Sequence, residues 1–146
     1  MSYTLTYIIS PFIGSRGSVT EVPPTSLNID SSQHQPPENT VSANGPTGIS
    51  VSKAGTGVVL NIKIRDSNKA DYYPVGLAIQ PQAGSTRTPG GVFPAAHVSS
   101  TDSTVIVLTD LAQLPVAPGP YEFVVLFQSA DGNFGWLDPM ITNDGP

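Results

Sequence analysis

The chain contains no cysteine among its 146 residues, which excludes disulfide bonds and any chemistry that depends on a thiolate. Charged side chains are also scarce, at 12% of the residues, about half the share found in an average soluble protein. Six of them are basic and eleven are acidic, for a formal net charge of −5. So few cations cannot neutralise a run of phosphates, and we expect no binding to nucleic acid or to an anionic membrane surface.

Long apolar runs are lacking as well. No stretch approaches the roughly 20 apolar residues that cross a bilayer, so we expect no membrane insertion. Residues 1–16 lack the basic start and the apolar centre of a secretory signal. We therefore expect a cytoplasmic protein, and the alternative of a mature secreted form stays open.

Helical periodicity is absent too, whereas proline and glycine are abundant, at 15 and 14 residues. Between these turn-forming residues lie short runs in which apolar and polar side chains alternate, the pattern typical of half-buried strands. The pattern predicts one all-β domain over 1–146, an antiparallel sandwich of about seven to nine strands. The expected strands are 3–9, 18–22, 58–65, 74–80, 104–109, 121–128, 134–137 and 140–142.

Residues 23–48 form a segment rich in proline and serine that has little to bury. A structureless loop of this length is uncommon inside a compact domain. We therefore expect Leu27 and Ile29 to contribute a short edge strand within it, and Val41 is a further candidate.

The run 121–128 is the strongest strand signal, and it has apolar side chains on both faces. Tyr121, Phe123, Val125 and Phe127 share one face, whereas Val124 and Leu126 share the other. This pattern predicts a central strand that is covered on both sides.

Residues 118–121, Pro-Gly-Pro-Tyr, precede this strand in the layout of a tyrosine corner. In that motif, a tyrosine at the start of strand F bonds back to the preceding loop, two residues before the position of a disulfide cysteine. Tyr121 and Phe123 occupy those two positions and favour an immunoglobulin-like sandwich. The alternative is an ordinary strand that begins with a half-exposed tyrosine.

Catalytic motifs are missing. His34 and His97 are the two histidines and lie far apart in loop-like sequence. No Gly-x-Ser-x-Gly elbow and no phosphate-binding glycine loop is present. We therefore expect no enzyme and no cofactor.

Two speculative ligand sites follow from the remaining residues. Asp131, Asp138 and Asp144 surround the last hairpin and suggest a weak calcium site, with plain turn-forming aspartates as the alternative. A second set, Trp136 with the pair Tyr72 and Tyr73, suggests a platform for stacking on sugar rings, although core packing is the alternative for Trp136.

The C-terminus carries the sequence Asp138-Pro139-Met140-Ile141-Thr142-Asn143 and a final proline. This ending resembles that of the DP-EP family of small bacterial proteins, and the strand near residues 75–82 is similar as well. The resemblance implies an immunoglobulin-like β-sandwich and no established activity. Because Pro139 has no N–H to donate, we also expect it to mark a strand edge, a bulge or a bend.

Three functions remain open on the sequence. The first is a non-catalytic structural or protein-interaction module, able to associate with a partner or with itself. The second is a carbohydrate-binding module, with or without calcium. The third is a hydrolase in which two carboxylates face each other across a cleft.

Overall fold

The computed structural model describes residues 2–30, 40–52, 58–81, 95–110 and 120–145. These residues form twelve strands and no helix, and hence no helix that could cross a membrane. The strands are β1 (Ser2–Ile9), β2 (Val19–Glu21), β3 (Ser26–Asp30), β4 (Thr40–Asn44), β5 (Gly48–Ser52), β6 (Val58–Asp66), β7 (Tyr73–Pro81), β8 (Ala95–Val98), β9 (Val105–Asp110), β10 (Pro120–Gln128), β11 (Phe134–Leu137) and β12 (Met140–Gly145).

The first sheet has the strand order β3-β1-β6-β9-β8. Its central strand, β6, alternates buried and half-buried side chains along its whole length, as expected for one face on a core and one on solvent. The edge strand that Leu27 and Ile29 predict is β3, which pairs with β1.

The second sheet is built around β10. One edge of β10 pairs with β7 over its whole length, and the other edge pairs with β11 and then with β12. The register is the same on both sides of Pro139, and Phe123 N–H donates to the Pro139 carbonyl at 3.0 Å. Because Pro139 cannot return a hydrogen bond, the ladder is interrupted there although the strand direction continues.

Three shorter strands complete this sheet beyond β11 and β12. β2 lies along β11 and β5 lies along β12, both in parallel, and β4 forms the edge next to β5. Val41, the further candidate for an edge strand, lies in β4.

Both sheets are mixed, so the expectation of purely antiparallel sheets is wrong. Three pairs run parallel: β1 with β6, β2 with β11 and β5 with β12. Alternation of side chains reveals which face is buried, but it is the same in parallel and antiparallel strands. Each parallel pair joins strands far apart in the chain, and such distant partners leave no local turn signal.

The hydrophobic core lies between the two sheets. The first sheet contributes the inward side chains of β1, β6 and β9, and the second contributes those of β10, β12 and β5. Tyr7 and Phe123 join the two layers through an edge-to-face ring contact, with centroids 6.5 Å apart. Tyr7 is fully buried, and burial raises the pKa of its hydroxyl.

The outward face of β10 is not covered by a described strand, although the sequence predicts that both faces are covered. Val124 and Leu126 are only half-buried, and no described strand lies over them. Within the described residues, β10 is central in its sheet but covered on one face alone.

Candidate binding groove on the outer face of the second sheet

An open groove crosses the outer face of the second sheet above β10. It has a volume of about 540 Å³. Every described residue that lines it is apolar: Val19, Gly76, Leu77, Ala78, Val124, Leu126 and Trp136. Such a surface offers contacts to apolar groups and no described side chain for acid–base or nucleophilic chemistry.

Strand register places these residues side by side. Leu126 pairs with Trp136 on one side and with Gly76 on the other, and Trp136 in turn pairs with Glu21 of β2. Directly paired residues on neighbouring strands project to the same face of a sheet. The groove is therefore a property of four adjacent strands: β2, β11, β10 and β7.

Exposed hydrophobic side chains cluster at one end of the groove. Phe134 and Val19 are paired and are 37% and 57% exposed, and Tyr73 lies opposite Gln128 and is 41% exposed. The outward face of the first sheet is mixed, with polar residues such as Thr4 and Asn61 beside the half-buried Val59 and Val107. A cluster of exposed apolar side chains beside an apolar groove is typical of an interaction surface.

Gly76 forms part of the groove floor. A Cβ atom built on Gly76 would meet no atom within 4 Å, so the space above its backbone is empty. Its φ is not in the left-handed region. A larger side chain at this position would therefore fill the groove with little strain on the strand.

Acidic side chains border the groove on two sides. Asp138 lies two residues after Trp136 and so projects to the same face, with Glu122 of β10 near it at this end of the groove. Glu21 of β2 lies beside Trp136 at the edge of the sheet. Burial raises the pKa of the Asp138 carboxyl, and the negative charges of Glu122 and Glu21 raise it further. Its Oδ1 atom is shielded from solvent and accepts no hydrogen bond from the described residues.

This environment leads to a pH-dependent prediction for Asp138→Asn. The pKa of Asp138 is higher in the folded protein than in the unfolded chain. Asp138 therefore adds stability to the fold at a pH below its unfolded pKa, and this contribution is lost as the pH rises through its folded pKa. We expect Asp138→Asn to be more stable than wild type at neutral pH, with the advantage vanishing in acid. Urea denaturation across a pH series measures this.

Asp66→Asn is the matched control, because the pKa of Asp66 shifts in the opposite direction. Burial alone would raise the pKa of Asp66, but hydrogen bonds from Ala70 N–H, the Tyr72 hydroxyl and Asn68 N–H outweigh it and lower the pKa. Asp66→Asn should therefore be less stable than wild type at neutral pH, with a deficit that shrinks as the pH falls through the lowered pKa. If both variants changed the stability at neutral pH in the same direction, the opposite pKa shifts of Asp138 and Asp66 would be contradicted.

The three aromatic residues that the sequence suggests for sugar stacking lie in different surroundings. Trp136 is half-buried and lines the groove, and Tyr73 is exposed at the edge of the same face. Tyr72 is 4% exposed and its ring packs edge-to-face on Phe127, with centroids 5.6 Å apart. Its ring therefore presents no open face to a ligand.

The Tyr72 hydroxyl is part of a buried polar network. It accepts a hydrogen bond from Phe12 N–H at 2.7 Å and donates to Asp66 Oδ2 at 3.0 Å. Asp66 Oδ1 accepts from Asn68 N–H at 2.8 Å and from Ala70 N–H at 3.0 Å. These bonds fix the β6–β7 turn and the segment after β1, so the role of Tyr72 is structural.

The backbone positions of the three aspartates suggested for calcium lie far apart along the direction of β11 and β12. Asp131 lies in the β10–β11 turn, whereas Asp138 follows the far end of β11, a separation of about 13 Å at 3.3 Å per residue. Asp144 lies within β12, about 20 Å further along the same strand direction. The described residues contain no group of three acidic or histidine side chains placed to hold a metal ion.

A smaller cleft of about 200 Å³ includes three carboxylates, those of Asp66, Asp71 and Asp131. The Asp66 oxygens already accept the hydrogen bonds described above, and Asp71 Oδ1 pairs with Arg65 Nε at 2.8 Å. Only Asp131, which is exposed, lies outside these pairings. The cleft therefore lacks two uncommitted carboxylates facing each other, the arrangement a glycoside hydrolase needs.

The residues expected to be structural are buried. Tyr121 lies at the start of β10 and is 1% exposed, and Phe123 fills the core two residues later. The bond predicted from Tyr121 to the preceding loop falls on residues 111–119, outside the described residues. Pro139 is buried and lies between the end of β11 and the start of β12.

Sequence reasoning missed most of the groove. The sequence pattern predicts a second buried face at Val124 and Leu126, and it gives no functional signal at Val19 or Gly76. The one available signal for the groove was that the outward side chains of β10 are apolar, because an antiparallel strand exposed on one face normally carries polar residues there.

No family model matches this chain, and no curated protein or solved structure shows similarity to it.

Proposed function

We propose that this protein is a non-catalytic interaction module that binds apolar side chains of a partner protein in the groove above β10. The observation that carries the proposal is an all-apolar lining on the solvent side of a sheet whose opposite face already packs on the core. Keeping Leu126 and Trp136 partly exposed forgoes the stabilisation that full burial of these side chains would bring. Binding a partner's side chain recovers it.

A carbohydrate partner is the second candidate, and Trp136 is the observation that favours it. Its indole ring lies in an open groove with carboxylates nearby. However, sugar hydroxyls need hydrogen-bond partners once they leave water, and the groove lining offers none among the described side chains. The lining therefore favours a protein side chain over a sugar.

The proposal is tested by selecting random peptides on the immobilised protein and measuring their binding through Trp136, the single tryptophan of the chain. We expect selected peptides to carry apolar side chains and to shift the Trp136 emission to shorter wavelength. Gly76→Gln should weaken binding by about tenfold or more, because it removes room for one buried side chain.

Ala96→Gln is the control, since Ala96 is an exposed strand residue of the first sheet. It should leave peptide affinity unchanged. Selection of no peptide, or equal binding by Gly76→Gln, would overturn the proposal. A glycan array read by the same fluorescence tests the second candidate, which fails if no glycan shifts the emission.

We also propose that the two sheets follow the immunoglobulin-like arrangement. The orders β1-β6-β9-β8 and β7-β10-β11/β12 support it, because they correspond to strands ABED and CFG of that fold. Kinship with the DP-EP family remains a proposal that rests on the residue 138–143 ending.

A further inference from the structure

We propose that the partner segment in the groove is a peptide that carries a lysine or arginine next to its apolar side chains, with the cation placed against Asp138, between Glu21 and Glu122. This inference rests on the proposed docking function and names the chemistry of the partner. The apolar groove and the acidic border lie on one continuous face, so a single short segment contacts both.

The spacing of the two regions follows from strand geometry. Asp138 follows the end of β11 two residues after Trp136, which is about 7 Å of extended backbone. Leu126 and Glu122 are four residues apart on β10, which is about 13 Å. An extended peptide repeats its side chains on one face every second residue, also about 7 Å. Two alternating apolar residues followed by a cation two residues later therefore match the groove and its border.

The charge of the border favours a cation over any other occupant. The charges that act on the pKa of Asp138, those of Glu122 and Glu21, are both negative. A cation brought by a ligand would relieve this repulsion, and an anion would add to it. A second copy of this acidic chain is disfavoured for the same reason, because its net charge is −5.

Asp138 provides an independent observation. Its Oδ1 is shielded from solvent and lacks a hydrogen-bond donor among the described residues. Because Oδ1 is shielded, a docking cation reaches it only when the Asp138 side chain turns outward, and an ammonium or guanidinium group then supplies the missing donor.

The test uses three serine-based peptides that differ at one position. Each has two leucines in alternation, followed two residues later by lysine, glutamine or glutamate. Affinity for the full-length protein is read from Trp136 fluorescence, since the peptides contain no aromatic residue. We expect the lysine peptide to bind best and the glutamate peptide worst, with about a five- to tenfold difference between them.

A neutralised variant shows where the preference arises. Combining Glu21→Gln with Asp138→Asn should reduce the difference between the lysine and glutamate peptides to about twofold or less. Asp131→Asn removes an equal type of charge in the β10–β11 turn, away from the border, and should leave the preference unchanged. Added salt should also reduce it, because exposed charges are screened.

The outcomes separate this inference from the proposed function. Equal binding of the three peptides, or tighter binding of the glutamate peptide, overturns the inference and leaves groove docking intact. If selection yields no peptide at all, groove docking itself fails. A dimer in sedimentation that Gly76→Gln dissociates would identify a second copy as the occupant and would also overturn the inference.

Discussion

Phe127→Ala should lower the free energy of unfolding by about 3–5 kcal/mol, the range for removal of a buried aromatic ring. Phe127 is fully buried at the end of the sandwich, and two rings contact it edge-to-face. Their centroids lie 5.7 Å away in Phe12 and 5.6 Å away in Tyr72. The cavity would therefore loosen the contact between β10, the segment after β1, and the β6–β7 turn. Urea denaturation of the purified variant measures the loss.

Leu126→Ala is the matched control, because Leu126 is the preceding residue of β10 and projects to the opposite face. Its side chain is only half-buried, so we expect a loss of about 1 kcal/mol. Losses of equal size in the two variants would mean that both faces of β10 are packed alike, and the groove would not exist in solution.

Tyr72→Phe should lower the free energy of unfolding by about 2–3 kcal/mol, since it leaves two buried polar groups without their partner. Phe12 N–H would lose its acceptor, and Asp66 Oδ2 would lose its donor. The ring contact with Phe127 would persist, so the loss isolates the hydroxyl. The same denaturation assay measures it.

Tyr7→Phe provides the comparison, since it removes the same hydroxyl from a site where it bonds to no described residue. A buried hydroxyl without a partner costs stability, so we expect no loss and a gain of up to about 1 kcal/mol. A large loss in Tyr7→Phe would show that this hydroxyl has a partner that the described residues do not include.

The strand positions could be predicted from the sequence because alternation is a local signal. Positions 3–9, 58–65 and 121–128 alternate strongly, and each lies in a strand of the structure. For Pro139 the sequence predicts a strand edge, a bulge or a bend, whereas the structure has a gap between β11 and β12 with an unchanged register.

Other strands and the strand directions were harder to predict. In β5 the two apolar residues Ile49 and Val51 do alternate with glycine and serine, but the run is short and follows a segment that reads as loop. β8 lies at the end of such a segment and shows no clear apolar period. Parallel pairing of β1 with β6 depends on partners that are far apart in the chain. Such choices are made by packing of the whole core rather than by local preference.

The candidate groove could not be predicted from local sequence patterns either. The sequence indicates that the outward side chains of β10, Val124 and Leu126, are apolar, but a buried face and a binding face have the same composition. The difference depends on what lies above them, which no local pattern encodes. The sequence marks Trp136 only as a single tryptophan, and the structure adds its neighbour Leu126 and, on the far side of Leu126, Gly76.

The central claim is that the outer face of the second sheet is open, and quenching of Trp136 fluorescence by acrylamide tests it most directly. Trp136 is the single tryptophan, so the full-length protein reports on this face alone. An open groove predicts intermediate quenching in the native protein, with protection when a lysine-bearing apolar peptide is added. Native quenching as weak as that of a core tryptophan would contradict the account, because it would show that the groove is already filled.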